Sequence, residues 1–434
     1  MTTTAPVATR VARRTTRLPA AVSFWALAAT LAFLLFASSV PSPMYGIYQH
    51  EWHFSAIVLT AVYAANALAL LVALLFVGSL SDHVGRRPVL VAALVIELAA
   101  MATFTQAHGV AWLAAGRILQ GLATGTASGA VSAMMIDLQP PGSRRGALMT
   151  NVSSSGGIAL GALGSGLLVS YAPLPTRLAY FLLIGVFAVL LLLVAGLPET
   201  VRPDGGGLRS LPPRVAVPPQ ARGAYAALLP SIVATWALAG LYLSVGPSIV
   251  GELSHSTGHL AGALIIVALN GTGAVMTVAG RSWSPGRALY AGAVLLVTGV
   301  VIAMAALACG QTVLFFAGTI VAGAGFGPSF SGALRTLTGL APAANRAEMV
   351  TAIYVAAYLG LSIPAVIAGV AVTKVGLFDT AYGYGGAVIV LMALASALSL
   401  RAGRAAAAPA APLCPHHDLP PCPGGIPALA RTAR

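Results

Sequence analysis

The chain has 434 residues, of which 58% are apolar and only 8% charged, with a mean hydropathy of +0.89. Soluble domains carry about 25% charged residues, so a soluble enzyme is excluded. The formal charge of +13 would suggest a nucleic-acid partner in a soluble chain, but here the arginines fall between apolar runs, where they report membrane orientation and imply no such partner.

A hydrocarbon core of about 30 Å takes about 20 helical residues to cross. After an arginine-rich tail (1–19), apolar runs of that length stand at 20–42, 55–80, 88–107, 110–137, 146–171 and 178–197, and again at 224–249, 259–280, 287–308, 312–335, 348–373 and 379–401. The first run is too long for a signal peptide, and SSVPSPMYG offers no clean cleavage site. The runs are also too long for the strands of an outer-membrane barrel. The expected class is an all-α membrane protein with twelve transmembrane helices. Residues 198–223, rich in Pro, Gly and Arg, read as a flexible cytoplasmic linker between two six-helix bundles, 20–197 and 224–401. Residues 402–434 read as a disordered cytoplasmic tail.

With a cytoplasmic N-terminus, 20 of the 23 Lys and Arg residues fall on the inner side, and only Arg177 and Lys374 fall in outer loops. This positive-inside bias places both termini in the cytoplasm. The 22 Arg against one Lys, with abundant Ala and Gly, suit GC-rich coding and a bacterial cytoplasmic membrane. The sequons at Asn151 and Asn270 lie in helices and read as chance matches. The three cysteines make no disulfide framework.

A shift of 202 residues lays Gly116, Gly121 and Gly125 over Gly318, Gly323 and Gly327, and Arg144 over Arg346; a shift of 201 lays Gly85-Arg86 over Gly286-Arg287. Two homologous halves are the simplest explanation. Such halves commonly place a binding site at their interface and expose it alternately to each side.

Between the second and third runs stands GSLSDHVGRRP. It resembles the signature G-x-x-x-D-x-x-G-R-[RK] of the major facilitator superfamily, matched at Gly78, Asp82, Gly85, Arg86 and Arg87. The resemblance implies a transporter working by alternating access, with this loop as a latch closing the inner side. It also implies Asp137, at the inner end of helix 4, as the partner of Arg86. Carboxylates and guanidinium groups at helix ends suit that role. In the second half Trp283 stands where Asp82 does, so the full latch belongs to the first half.

Helix 4 resembles the superfamily's R-x-x-x-G pattern, with Arg117, Gln120, Gly121, Gly125 and Gly129. The glycines permit close helix approach. A guanidinium inside a membrane segment needs water or a partner, which makes Arg117 a functional candidate. Glu97 is the one carboxylate deep in a run and lies about two helical turns from Arg117 in depth. A site where conformation changes such a pairing can load and release a proton, so Glu97 and Arg117 are the candidates for proton coupling. Helix 5 is similar to the superfamily's antiporter element at Gly157 and Gly161, with Ala162 and Ser165 departing from it; Pro364 supplies a kink or swivel in helix 11. The resemblance lines the central cavity with helices 1, 4, 7 and 10 and places 2, 5, 8 and 11 beside it. This gives as candidates Ser38, Ser39, Gln120, Thr124, Trp236, Tyr242, Asn270, Phe326, Phe330, Tyr354 and Tyr358.

His50-Glu51-Trp52-His53 reads as part of an outer loop, one residue short of H-E-x-x-H and on no helix face, so it carries no zinc chemistry. Cys414, His416, His417 and Cys422 stand in a proline-broken tail without the scaffold of a metal site. No nucleotide-binding G-x-x-x-x-G-K-[ST] is present, and no set of nucleophile, base or metal ligands converges in the helices. The expectation is a non-enzymatic monomeric transporter without cofactor, exporting small organic molecules by proton exchange as drug exporters do. The rivals are a symporter taking up a sugar or organic acid and a non-transporting receptor.

Overall fold

The computed structural model describes residues 18–77, 80–139, 145–201, 215–255, 259–342 and 345–407. Their long helices are α1 (Ala20–Ser39), α2 (Ala56–Val77), α3 (Arg86–Thr105), α4 (Val110–Leu138), α5 (Arg145–Tyr171) and α6 (Leu178–Ala195), then α7 (Arg222–Ser244), α8 (His259–Ala279), α9 (Pro285–Ala308), α10 (Thr312–Leu340), α11 (Arg346–Val375) and α12 (Leu377–Ala407). No strand occurs among the described residues. Among the described residues, eleven helical spans are long and apolar enough to cross a membrane. The 29-residue α4 is long enough but more polar than the rest, because it carries Arg117, Gln120 and a series of Gly, Thr and Ser.

Several expected boundaries move. The short helix Tyr45–Trp52 follows α1 after a 3-10 turn at Ser42–Met44, so His50, Glu51 and Trp52 lie on a helix rather than in a loop. It ends at His53, whose φ of 50° turns the chain away. A second short helix, Gly246–Leu253, follows α7. The expected linker is structured at both described ends, with Glu199 and Thr200 bonded to α3 and Ala221 buried. Residues 202–214 lie outside the described residues, as do 1–17 and the Cys/His group of the tail; helix α12 reaches Ala407, inside the segment expected as tail.

The two halves are packed alike. In the first, α4 packs on α2 and α3, α1 on α4 and α5, and α6 on α3; in the second, α10 packs on α8 and α9, α7 on α10 and α11, and α12 on α9. Adding six to each helix of the first half gives the second. The glycines matched in sequence make matched contacts: a Cβ on Gly121 or Gly125 would overlap carbonyls of α2, and one on Gly323 or Gly327 would overlap carbonyls of α8. Gly157 and Gly161 allow the same approach of α5 to the carbonyls of Ala32 and Phe36 on α1. In lipid, helix association rests on such close packing.

The halves meet through α5 with α8 and α2 with α11. Gly166 lies against Ala263, and Gly369 lies against Thr60 and Ala56. The Ser42–Met44 turn contacts both α5 and α8. The Gly166, Gly369 and Ser42–Met44 contacts lie towards the arginine-poor end, and α5 meets α8 again near mid-helix, at Ala159 and Gly271.

Gly125→Val forces a side chain into the Leu70 carbonyl and is expected to cost about 3 kcal/mol or more, read as a lowered melting temperature in detergent. Gly129→Ala, with open space around its Cβ, leaves that temperature unchanged or raised.

Candidate functional site

Arg117 is fully buried in α4. Its Nε and one terminal nitrogen donate to the Tyr45 hydroxyl at 2.9 and 2.5 Å. The other terminal nitrogen donates to the Ser38 carbonyl at 2.6 Å and to Gln120 Oε1 at 2.9 Å. The guanidinium also lies 5.4 Å from the Tyr45 ring centroid, within the range of a cation–π contact. Gln120 Nε2 in turn donates to Glu97 Oε1 at 3.4 Å. The expected direct meeting of Arg117 and Glu97 is therefore replaced by a chain with Gln120 between them.

Glu97 is fully buried, and among the described residues its Oε2 has no hydrogen-bond partner. Beside this chain Asn66 donates to Ser38 Oγ at 3.3 Å, while Asn66 Oδ1 and Thr124 Oγ1 are buried without partners. Unmade bonds at buried polar atoms are rare in folded proteins and mark places where water or a proton would be received.

Tyr45 was not among the expected site residues. It follows the first apolar run and looked like loop; its cue was only a tyrosine close to the membrane boundary. In the second half, Thr319 holds the place of Arg117, and its hydroxyl meets the Tyr242 hydroxyl at 2.9 Å. The second half thus carries a neutral pair where the first carries a charge.

A separate cluster of aromatic rings forms in the second half. Trp236 of α7 lies 5.2 Å from Phe330 of α10, 6.4 Å from Tyr354 and 4.9 Å from Tyr358 of α11, centroid to centroid. Phe330 meets Tyr354 at 5.9 Å, and the two tyrosines are stacked at 6.2 Å. Trp236, Tyr354 and Tyr358 are half-buried, and Trp236 Nε1 is buried without a partner. Four candidates scattered over more than a hundred residues thus form one aromatic box.

The remaining candidates do not join these clusters. Tyr242, expected in the central cavity, lies inside the second bundle, stacked on Phe315 beside a small apolar cavity of about 30 Å³. Its bond to Thr319 and its stacking on Phe315, both of α10, hold it there. Asn270 is buried and donates to the Ile266 carbonyl of its own helix, and Phe326 packs against Gly273 where α10 crosses α8. Ser39 donates to the Phe36 carbonyl and lies against Gly161, sealing α1 to α5. Pro364 sits within α11, which runs on through it.

At the arginine-rich end Arg86 forms an ion pair with Asp137, joining the start of α3 to the end of α4. A carboxylate that sequence reading assigned to the linker completes this corner. Glu199 accepts from the backbone N–H groups of Arg86 and Arg87 at 2.9 and 3.0 Å, and so caps α3. It does so across Gly85, whose φ of 108° and closeness to the Glu199 carboxylate suit only glycine. Anions are favoured at a helix N-terminus by its unpaired N–H groups and dipole. Gly78 and the side chain of Asp82 lie outside the described residues. In the second half Arg335 donates to the Trp283 carbonyl at 2.9 Å, and Arg287 lies over the Trp283 ring.

The profile of the Major Facilitator Superfamily matches residues 25–365. Among curated proteins none matches the sequence significantly. Solved structures resemble the fold over most of the chain. A peptide transporter, POT, in complex with sulfate has a TM-score of 0.69 at 16% identity, covering 88% of this chain and 95% of that one. The nucleoside transporter NupG has a TM-score of 0.67 at 14% identity, covering 88% of this chain and 100% of that one. At those identities the likeness speaks for the fold alone.

Tyr45→Phe leaves two Arg117 nitrogens without their acceptor. The expected cost is about 2 kcal/mol, read as a lower melting temperature than that of Tyr48→Phe, which removes only long contacts of 3.4 Å or more.

Proposed function

The chain belongs to the Major Facilitator Superfamily, and on that premise we propose that it exports small amphipathic organic molecules across a bacterial cytoplasmic membrane in exchange for protons. Family and fold point to a transporter rather than an enzyme. The proposed organisation has twelve crossings, α4 among them, in two bundles with both termini cytoplasmic and the arginine-rich end facing in. One chain supplies both halves of the route, so a monomer suffices.

The observation that carries the reading is the buried Glu97, with one oxygen unpartnered and the other tied through Gln120 to Arg117. Isolated charge at such depth is costly, so gain or loss of a proton at Glu97 changes the pull that Gln120 transmits. Arg117 passes this to the Ser38 carbonyl at the end of α1 and to Tyr45. Between Ser38 and Tyr45 runs the Ser42–Met44 turn, which touches α5 and α8 across the seam. Protonation is thereby linked to contacts between the halves, which alternating access must make and break. The substrate surface is the box of Trp236, Phe330, Tyr354 and Tyr358, where rings and an unused indole N–H suit an apolar body bearing an acceptor. The pair of Arg86 and Asp137 acts as the latch of the inner side, with Gly78, Asp82, Gly85 and Arg87 forming its loop.

Proton flux in energised inverted membrane vesicles, followed with a pH-sensitive dye, tests this reading. Adding lipophilic cations or antibiotics is expected to release protons with the wild type and not with Glu97→Gln. Release by sugars or organic acids instead would keep the exchange and change the substrate class, whereas proton entry into the vesicles on adding them would replace export with symport. An unchanged response in Glu97→Gln would remove Glu97 from the mechanism.

A further inference from the structure

At the arginine-poor end of the first half, away from the helices that meet the second half, a cavity of about 230 Å³ opens between the short helix Tyr45–Trp52, the end of α3 and the start of α6. Behind it lie aromatic rings, of which only Trp52 is partly exposed, Tyr48 and Phe104 being buried. Tyr48 and Trp52 stack at 4.7 Å with 15° between their planes, and Phe104 is held by stacking on Tyr180 at 4.9 Å. Its rim is polar, with Glu51, His108 and Arg177 all exposed. Among the described residues neither the Glu51 nor the Arg177 side chain has an ion-pair partner, although both line this one cavity.

We infer that this cavity binds a small zwitterion, an α-amino acid with an aromatic side chain, separately from the transport route. Its ammonium group is taken by Glu51, its carboxylate by Arg177, and its ring lies against Trp52, which is partly exposed and held by its stacking on the buried Tyr48. An anion alone would leave Glu51 facing like charge, and a cation alone would do the same to Arg177; a zwitterion meets both. The volume is below the roughly 300–1,000 Å³ of drug-sized pockets, which restricts the ligand to about the size of an amino acid. The site has a path inward. The Tyr48 hydroxyl donates to the Thr176 carbonyl at 3.4 Å and lies 3.5 Å from that of Tyr180, and one turn earlier on the same helix Tyr45 holds Arg117. Occupancy therefore braces the helix on which Arg117 depends.

The test is binding of tritiated L-phenylalanine to the full chain in lipid nanodiscs, with phenylacetate and phenethylamine as competitors that each lack one charge. Saturable binding is expected, with both competitors weaker by about three- to tenfold, the range for charged contacts at an exposed rim. Glu51→Gln should weaken L-phenylalanine by that factor and leave phenylacetate no weaker, or tighter; Arg177→Gln should weaken L-phenylalanine and leave phenethylamine no weaker, or tighter. Elution as a single species and an unaltered melting temperature check that the variants fold, and Glu51→Asp and Arg177→Lys should keep part of the affinity. Absence of saturable binding at millimolar L-phenylalanine overturns the inference. So does binding that both substitutions spare, or binding that is lost in Trp236→Ala instead, which would place the ligand at the aromatic box. None of these readouts requires proton flux, so the inference stands or falls apart from the proposed export.

Discussion

The need to satisfy a buried guanidinium organises the first half of this protein. Arg117 has no exposure, and an unsatisfied charge at that depth would cost more than a domain's margin of stability. Its bonds therefore dictate where other elements sit. The end of α1 must present the Ser38 carbonyl, the chain must turn at Ser42–Met44 so that Tyr45 comes back over the arginine, and Gln120 must sit one turn further along α4. Because the turn serving Arg117 also touches α5 and α8, a requirement local to one side chain becomes a constraint on how the halves meet.

The repeated frame is shared, but its two copies do different things. Both halves bring their helices together over matched glycines, with Gly121 and Gly125 answering to Gly323 and Gly327. On that frame the first half carries charge and hydrogen-bonding side chains, whereas at the place of Arg117 the second half has the neutral pair of Thr319 and Tyr242. The second half instead gathers aromatic rings on α7, α10 and α11. The two halves therefore differ in the chemistry they carry, charged and hydrogen-bonding in the first and aromatic in the second, although their helix packing is the same.

The arginine-rich corner shows how one turn can hold three helices. Arg86 uses its side chain for Asp137 at the end of α4 and its backbone N–H for Glu199 beyond the end of α6. The ion pair, partly exposed on the Asp137 side, is open to screening and suited to being broken. The Glu199 cap, bound to consecutive backbone groups across a glycine turn, fixes where α3 begins.

Much of this was legible in the sequence, for a definite reason. In lipid every backbone group must be satisfied within its own segment, so long apolar runs read directly as helices, arginine placement reads as orientation, and ionisable residues inside a run stand out. Arg117, Glu97 and the glycine contacts were visible in this way, whereas the pairing of Arg86 with Asp137 was legible only through the resemblance of the loop to the superfamily's signature. Tyr45 and Glu199 were not, because they sit just beyond the ends of apolar runs, where a residue that folds back looks the same as one in a loop. The role of Gln120 was hidden because it depends on the relative depth of α3 and α4, which hydrophobicity fixes only to within several residues. By itself the sequence determined the helices, the twofold repeat and which side chains carry unusual chemistry, since these follow from local composition and spacing. Only the tertiary structure decided which of those side chains meet, that Gln120 stands between charge and counter-charge, and that four distant aromatic residues form one box, because hydrogen bonds and ring contacts act over a few ångströms and depend on the packing of whole helices.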